Sequence, residues 1–171
     1  MLVITFLGGL AAADVEPPRR ILRMVEEREA TRYSEADWPI SRWPNFKFSE
    51  LACRETGECV LDEIFMDKVQ RLRDVVGPLS VSSGYRSPEH SLEQAKLGRG
   101  KPLGTHTLGR AIDLQASYGE AFAIAARADQ VGFTGIGINQ HGPAEGRFIH
   151  LDDLGTGEFV GVRPTIWSYY L

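Results

Sequence analysis

The sequence has few cysteines, no apolar run long enough to span a bilayer and no cluster of basic residues. Its 19 Lys and Arg are outnumbered by 23 Asp and Glu, which gives a net charge of −4, and no basic run exceeds Arg19-Arg20. Nucleic-acid binding is disfavoured, because an electrostatic footprint on phosphates needs a basic face. The absence of Gly/Ser-rich linkers and internal repeats favours a single domain within the 171 residues.

The two cysteines, Cys53 and Cys59, lie six positions apart in ACRETGECV. A disulfide between them would close a short loop in an oxidising compartment, and two free thiols are the equal alternative. A structural zinc site with four cysteines is excluded, because no second pair is present to complete the ligands. Neither thiol is assigned a catalytic role, since nothing nearby in the sequence would activate a thiolate.

The first 43 residues are interpreted as an N-terminal arm. Residues 1–13 resemble the apolar core of a secretory signal and end in small residues suited to cleavage, although no Lys or Arg precedes them. The alternative for this segment is a buried strand or helix. A helix is predicted over residues 18–33, because Pro17-Pro18 suits a first turn and apolar residues follow at helical spacing.

Helices and short strands are interspersed without repetition in the rest of the chain. The clearest helix covers residues 61–76, with acidic residues in its first turn and Gly77-Pro78 after its end. The sequence predicts an aromatic-rich wrap over the core at 34–48, further helices after GYRSPEH and at 119–131, and strands at 78–83, 110–115, 132–139 and 146–153. This pattern is typical of a single-domain α+β fold with a central antiparallel sheet flanked by helices.

Two histidines and one aspartate are the candidate ligands of a mononuclear zinc site. Zinc binds imidazole nitrogen and carboxylate oxygen, and a catalytic site has three protein ligands with a fourth position open to water. His106 and Asp113 are seven residues apart, so a turn at Gly109 into a strand can bring their side chains together. His150 would come from a neighbouring strand, and the apolar residues of that strand would bury it. Taken singly, each of these residues could equally serve a structural role.

Three motifs follow one another along the chain: SGYRSP from Ser83, THTLGRAID from Thr105 and FIHLD from Phe148. With FKFSELAC from Phe46 before them and Trp167 after them, they resemble the zinc D-Ala-D-Ala carboxypeptidase and peptidoglycan endopeptidase family. The similarity is to its small-domain branch, in the wider group that includes lysostaphin-type peptidases and hedgehog. The resemblance covers roughly residues 44–170 and implies that residues 44–171 form a zinc peptidase domain of that fold.

The resemblance also implies a role for each site residue. His106, Asp113 and His150 are expected to bind one Zn²⁺. Arg86 is expected to bind the scissile carbonyl oxygen and to stabilise the oxyanion, which suits its rigid fork of donors. The alternative for Arg86 is a structural salt bridge at a tight turn. Thr105 stands where the family usually has serine and keeps the hydroxyl group.

The general base is absent from its usual place, because Arg147 and Phe148 occupy the positions where relatives carry an acidic residue or a histidine. Asp152 is the preferred candidate for the base. Its alternative role is a carboxylate that orients a ligand or an arginine. Glu145 and His141 are the other candidates, and a base must reach the water that it activates.

The predicted function is a zinc-dependent peptidase that hydrolyses a peptide bond in the stem peptides of bacterial peptidoglycan. It would act as a D-Ala-type carboxypeptidase or an endopeptidase, in the manner of a phage or bacterial lytic enzyme. We expect a monomer that works in the periplasm or cell wall, or that is delivered there as a phage product. The alternative is a non-catalytic, zinc-containing binding or structural module of the same fold.

Overall fold

The structure, a computed structural model, describes residues 28–158 and 161–169. The signal-like segment at 1–13 and most of the helix predicted at 18–33 lie outside these residues. The end of that helix prediction is wrong, because Thr31–Tyr33 form a strand, β1, that pairs antiparallel with Cys59–Leu61, β2. Pairing with a distant segment thus overrides the local helical pattern.

Helices and strands lie largely where the sequence predicts them. The helices are α1 (Phe48–Leu51), α2 (Glu63–Val76), α3 (Ser91–Leu97) and α4 (Tyr118–Val131), with 3₁₀ turns at Thr105–Leu108 and Ala144–Gly146. The remaining strands are β3 (Ser80–Ser83), β4 (Ala111–Gln115), β5 (Gly135–Asn139), β6 (Phe148–Asp152) and β7 (Thr165–Ser168). Four of these elements, α1, β1, β2 and β7, were not predicted.

The five later strands form one sheet in the order β3-β4-β6-β5-β7. The pairs from β3 to β5 are antiparallel, whereas β7 runs parallel to β5. After β6 the chain reverses direction and crosses to the far side of β5, where β7 pairs with it. Because β5 and β6 are antiparallel, this reversal makes β7 parallel to β5. The α+β class is therefore confirmed, and the central sheet is mixed rather than wholly antiparallel.

Side chains along β4 and β6 point alternately to the core face and to the opposite face of the sheet. Ile112 and Leu114 of β4 are fully buried, as are Ile149 and Leu151 of β6. Their side chains join those of α2 and α4 in one apolar core. Because successive side chains of a strand point to opposite faces, the residues between them face the other side of the sheet. Those intervening residues include Asp113 and His150.

The aromatic-rich segment packs over the core as predicted. Trp43 and Phe46 are buried, and the Trp38 indole donates a 2.9 Å hydrogen bond to the Phe46 carbonyl. Cys53 and Cys59 are buried free thiols. None of the helices in the described part of the chain has the length and apolar character that a membrane span requires.

Candidate metal centre

Strand register places two of the predicted ligands side by side. Asp113 in β4 is paired directly with His150 in β6, and the alternation described above turns both side chains away from the core. On its other side, His150 is paired with Gly137 of β5. The absence of a side chain at Gly137 lets the Trp167 indole approach, since a Cβ there would lie 2.8 Å from the ring.

The third ligand, His106, reaches the same point from the 3₁₀ turn that precedes β4. Gly109 ends this turn with a φ of +67°, a conformation that other residues rarely adopt. A Cβ at Gly109 would also collide with the Val60 carbonyl. The structure therefore bears out the predicted turn at Gly109 and explains why glycine is required there.

The three side chains converge on one point. The Asp113 Oδ1 atom lies 3.2 Å from the His106 Nε2 atom and 2.8 Å from the His150 Nδ1 atom. One ligand atom from each residue lies within 4.8 Å of the other two, and all three residues are buried. Donors bound to tetrahedral zinc at about 2.0–2.2 Å stand roughly 3.3 Å apart, so this spacing suits one zinc ion.

Hydrogen bonding within the site also fits a cation. The His106 Nδ1 atom lies 2.7 Å from the Gly84 carbonyl oxygen, so it carries the proton and donates it there. In the neutral ring this leaves the Nε2 lone pair facing the Asp113 carboxylate. Two buried acceptor atoms in contact repel each other unless a positive charge lies between them. A histidine that donates its other N–H to a carbonyl is the usual arrangement in metal sites.

The ionisation of the site favours the ligand forms of His106 and Asp113, whereas the carboxylates around His150 favour its protonated form. Burial lowers the pKa of His106, which keeps its imidazole neutral. Burial opposes ionisation of Asp113 as well, but the two imidazoles outweigh it and hold the pKa of this carboxyl well below its usual range. Burial lowers the pKa of His150 too, and hydrogen bonds to Asp113 and Asp152 outweigh that effect and raise it.

Comparison with known protein families tests the resemblance. A search against family models matches residues 44–152 to Peptidase M15, which is more than half of the chain and contains all three candidate ligands.

The chain belongs to the Peptidase M15 family. This is the zinc D-Ala-D-Ala carboxypeptidase family that the motifs predict, so that prediction is confirmed. Membership supports a zinc-dependent metallopeptidase with a peptide substrate. A search of curated proteins found no match.

The M15 chain forms a cavity of about 770 Å³ over the three ligands. Arg86 lines it and donates hydrogen bonds to the Ser83 hydroxyl at 3.0 Å and to the Asp113 Oδ2 atom at 2.7 Å. The guanidinium therefore holds Asp113 with its other oxygen, Oδ1, towards the two histidines. Both roles considered for Arg86 are compatible with this position, because the residue makes a salt bridge and also faces the cavity.

Asp152 lies on the far side of His150, with its Oδ2 atom 3.4 Å from the His150 Nε2 atom. Both carboxylate oxygens accept hydrogen bonds from Arg163, at 3.0 and 2.9 Å. Burial opposes ionisation of Asp152, but His150 and Arg163 lower its pKa to about 2. A carboxylate of that pKa accepts a proton poorly near neutral pH. The geometry favours the role of orienting His150 over that of general base.

Glu145 and His141, the other candidates for the base, are not brought to the site. The loop that carries them joins β5 to β6 beside the Phe148 end of the sheet, whereas the His106 turn adjoins the opposite end of β4. Glu145 instead lines a separate cavity of about 490 Å³. Neither residue is among the described residues that line the cavity above the ligands.

Sequence reasoning did not identify several residues at the site, among them Lys96, Arg163 and Tyr169, which line the cavity, and Glu93, which lies behind it. Burial raises the pKa of Tyr169 to about 12, so its phenol stays protonated and can donate a hydrogen bond. Glu93 is completely buried behind Arg86 and does not line the cavity itself, but it contacts residues that do. No motif marks these positions, because their neighbours come from segments distant in the sequence.

Proposed function

We propose that this M15 chain is a zinc-dependent peptidase that hydrolyses a peptide bond in bacterial peptidoglycan, as a D-Ala-type carboxypeptidase or an endopeptidase. The observation that carries the proposal is the convergence of His106, Asp113 and His150 beneath a cavity that Arg86 also lines. Because the substrate lies outside the cytoplasm, we place the activity in the periplasm or cell wall, either after export or after delivery as a phage product.

The residues of the chain divide the chemistry between them. His106, Asp113 and His150 would hold the zinc ion, which would supply a Lewis acid able to polarise a carbonyl group and to activate water near neutral pH. Arg86 uses Nε and Nη2 for Ser83 and Asp113, whereas Nη1 lies 3.7 Å from the Glu93 carboxylate, beyond hydrogen-bond distance, and can still donate to a substrate oxygen. A charged donor at that position stabilises the negative charge that develops on the scissile carbonyl oxygen.

Part of the cavity wall along β6 and β7 is an aromatic surface that suits small aliphatic side chains. Phe148, Trp167 and Tyr169 pack against one another, with ring centroids 5.2 Å apart for the Phe148–Tyr169 pair and 6.2 Å apart for the Trp167–Tyr169 pair. Val162 also lines the cavity. An alanine methyl group, in either configuration, buries its surface favourably against such a wall.

A second function, a non-catalytic zinc module, is favoured by one observation. Among the described residues, the acidic side chains that line the cavity are Asp113, a candidate ligand, and Asp152, which is bound to Arg163. Neither is an obvious proton acceptor for hydrolysis. The intact ligand set and the position of Arg86 favour the peptidase.

The test is incubation of the purified, zinc-loaded protein with peptidoglycan and with synthetic stem peptides, followed by mass spectrometry. We expect peptide fragments from the wild type and from His141→Ala, because His141 does not line the cavity. His106→Ala should release none and should bind no zinc. Loss of one terminal alanine would indicate a carboxypeptidase, and separation of cross-linked stems would indicate an endopeptidase. A fully zinc-loaded wild type without product would support the non-catalytic module.

A further inference from the structure

The end of α3 and the loop that follows it are strongly basic in an otherwise acidic chain. Residues 94–104 read QAKLGRGKPLG, with three cations and no acidic residue, whereas the whole chain has a net charge of −4. These cations, Lys96, Arg99 and Lys101, all line the cavity above the metal ligands. One wall of the cavity is therefore positively charged, opposite in sign to the molecule as a whole.

Among the described residues, five cations line the cavity, and three of them are already neutralised by carboxylates. Arg86 pairs with Asp113 at 2.7 Å and Arg163 with Asp152 at 2.9 Å. Lys96 pairs with the buried Glu93 at 2.7 Å. These interactions are internal to the site and fix its geometry.

The other two cations have no such partner. Arg99 and Lys101 are exposed, and neither makes an ion pair within the part of the chain that the structure describes. Gly104, which ends this segment, donates its N–H to the Glu93 carboxylate at 2.6 Å, and this bond attaches the loop to α3. The loop is thus anchored at its end and presents two uncompensated positive charges to the cavity.

We infer that Arg99 and Lys101 form a carboxylate subsite on the α3 side of the cavity, so that the preferred substrate is a peptide with a negative charge near the scissile bond. The inference rests on the proposed peptidase function and narrows its substrate class. Complementary charge favours a matching partner over other partners and speeds its association. The aromatic surface formed by Phe148, Trp167 and Tyr169 would not accept a carboxylate without a large desolvation cost, and Arg163 beside it is already paired with Asp152. The basic loop and the aromatic surface therefore accept different parts of such a peptide.

A peptide offers carboxylates of two kinds, the free C-terminal group and an acidic group within the chain, such as the α-carboxylate of a γ-linked D-glutamate. Both carry the same charge and present the same oxygens to the subsite. The test therefore uses three versions of one stem pentapeptide. The first has both carboxylates free, the second has a C-terminal amide and the third has the internal carboxylate amidated.

The three peptides are compared on zinc-loaded wild type and on the double variant Arg99→Gln/Lys101→Gln. Affinity is measured as KM where the peptide is cleaved and as a calorimetric Kd where it is not. We expect the wild type to bind the fully ionised peptide about tenfold more tightly than one of the two amides, and that amide identifies the carboxylate. In the double variant this ratio should fall to about one, and in the wild type it should shrink as salt is added.

The matched control is Arg54→Gln/Arg127→Gln, which removes the same charge from exposed positions that do not line the cavity. It should keep the wild-type ratio. The carboxylate subsite would be overturned if the wild type bound all three peptides with equal affinity. It would also be overturned if the affinity ratio between the ionised and the amidated peptide fell equally in both double variants. Absence of cleavage with the tenfold binding ratio intact would count against the peptidase function alone, so the two failures are distinguishable.

Discussion

Two neighbours decide which nitrogen of each histidine faces the Asp113 carboxylate. The Gly84 carbonyl accepts the His106 Nδ1 proton at 2.7 Å and turns Nε2 towards Asp113. Asp152 lies beside the His150 Nε2 atom at 3.4 Å, so Nδ1 of that ring faces Asp113. The two rings therefore present different nitrogens to the same point, and their orientation depends on atoms that would not touch the metal.

Asp152→Asn separates the two roles considered for this carboxylate. We expect zinc affinity to fall 10- to 100-fold, because the amide weakens both the contact with His150 and the pairing with Arg163. Zinc affinity is measured by competition with a chelator. Unchanged affinity together with a loss of kcat would contradict the orienting role and return Asp152 to the role of general base. Unchanged affinity with full activity would exclude both roles.

Arg86→Ala should lose turnover and keep the metal. The bound cation compensates Asp113 when the guanidinium is removed, so zinc stoichiometry should stay at one per chain. Loss of a charged donor to the developing oxyanion should lower kcat about 10²–10³-fold. Arg73→Ala, on α2 outside the cavity, is the matched control and should keep the wild-type kcat. A decrease in zinc content that matches the decrease in kcat would show that Arg86 acts only through Asp113.

At the level of residues, the sequence predicts the ligand set but not its surroundings. His106, Asp113, His150 and Arg86 all lie in short continuous motifs, and the structure places all four at one cavity. Arg163 contacts Asp152 across a chain reversal, and nothing in the local sequence indicates that pairing. The preference for Asp152 as the base followed from its position near His150, and the sequence could not reveal that Arg163 occupies both of its oxygens.

At the level of elements, α3 and the loop after it are held by one buried carboxylate. The Glu93 side chain bonds to Lys96 at 2.7 Å and to the Gly104 N–H at 2.6 Å, and it lies 3.7 Å from the Arg86 Nη1 atom. Burial opposes ionisation of Glu93, but Lys96 and the Gly104 amide outweigh it and lower the pKa of this group. Glu93 therefore connects the basic loop to Arg86.

Glu93→Gln should loosen the loop that ends at Gly104. The variant loses a buried charge and one acceptor, so we expect the free energy of unfolding to fall by about 1–3 kcal/mol. Amide hydrogen exchange at Gly104 should become faster. Glu89→Gln, at an exposed position just before α3, is the control and should leave both measurements unchanged. Wild-type exchange at Gly104 in Glu93→Gln would show that the carboxylate does not anchor the loop.

The elements differ in how strongly the sequence indicates them. The helices α2 and α4 and the strands β4 and β6 carry clear apolar periodicity, and their positions were predicted within a few residues. The strand β7 was not, because its apolar residue Ile166 is 65% exposed and its parallel pairing with β5 joins distant segments. The strand β1 was hidden by a helical pattern that its pairing with β2 overrides.

Over the whole molecule, a cluster around Asp153 joins the N-terminal segment to the domain. This carboxylate is bound by Arg28 at 2.7 Å, Lys68 at 2.6 Å and Arg110 at 2.9 Å, which belong to the N-terminal segment, to α2 and to the residue before β4. Burial opposes ionisation of Asp153, but the three cations outweigh it and lower its pKa. One side chain thus connects three parts of the fold.

The free energy of unfolding should therefore decrease as the pH is lowered into the acidic range. Asp153 and Glu93 have a lower pKa when folded than when unfolded, so the unfolded chain binds more protons in acid. Their contribution is complete above the ordinary carboxyl pKa of about 4 and is lost as pH falls through the depressed folded values. Urea unfolding between pH 7 and pH 2 measures this decrease.

Asp153→Asn should remove part of that pH dependence. At pH 7 we expect the free energy of unfolding to fall by about 3 kcal/mol, because three cations lose their common partner. Below pH 4 the variant and the wild type should approach each other. Asp129→Asn, at an exposed position in α4, should follow the wild-type curve. If the unfolding free energies of Asp153→Asn and wild type ran parallel across the whole pH range, the role assigned to Asp153 would be contradicted.

The central claim is that two imidazoles and one carboxylate bind a single zinc ion. Anomalous diffraction at the zinc edge from zinc-loaded crystals measures this directly. We expect one peak about 2.0–2.2 Å from the His106 Nε2, Asp113 Oδ1 and His150 Nδ1 atoms. Zinc found elsewhere, with the Asp113 carboxylate still in direct contact with both imidazoles, would contradict the claim.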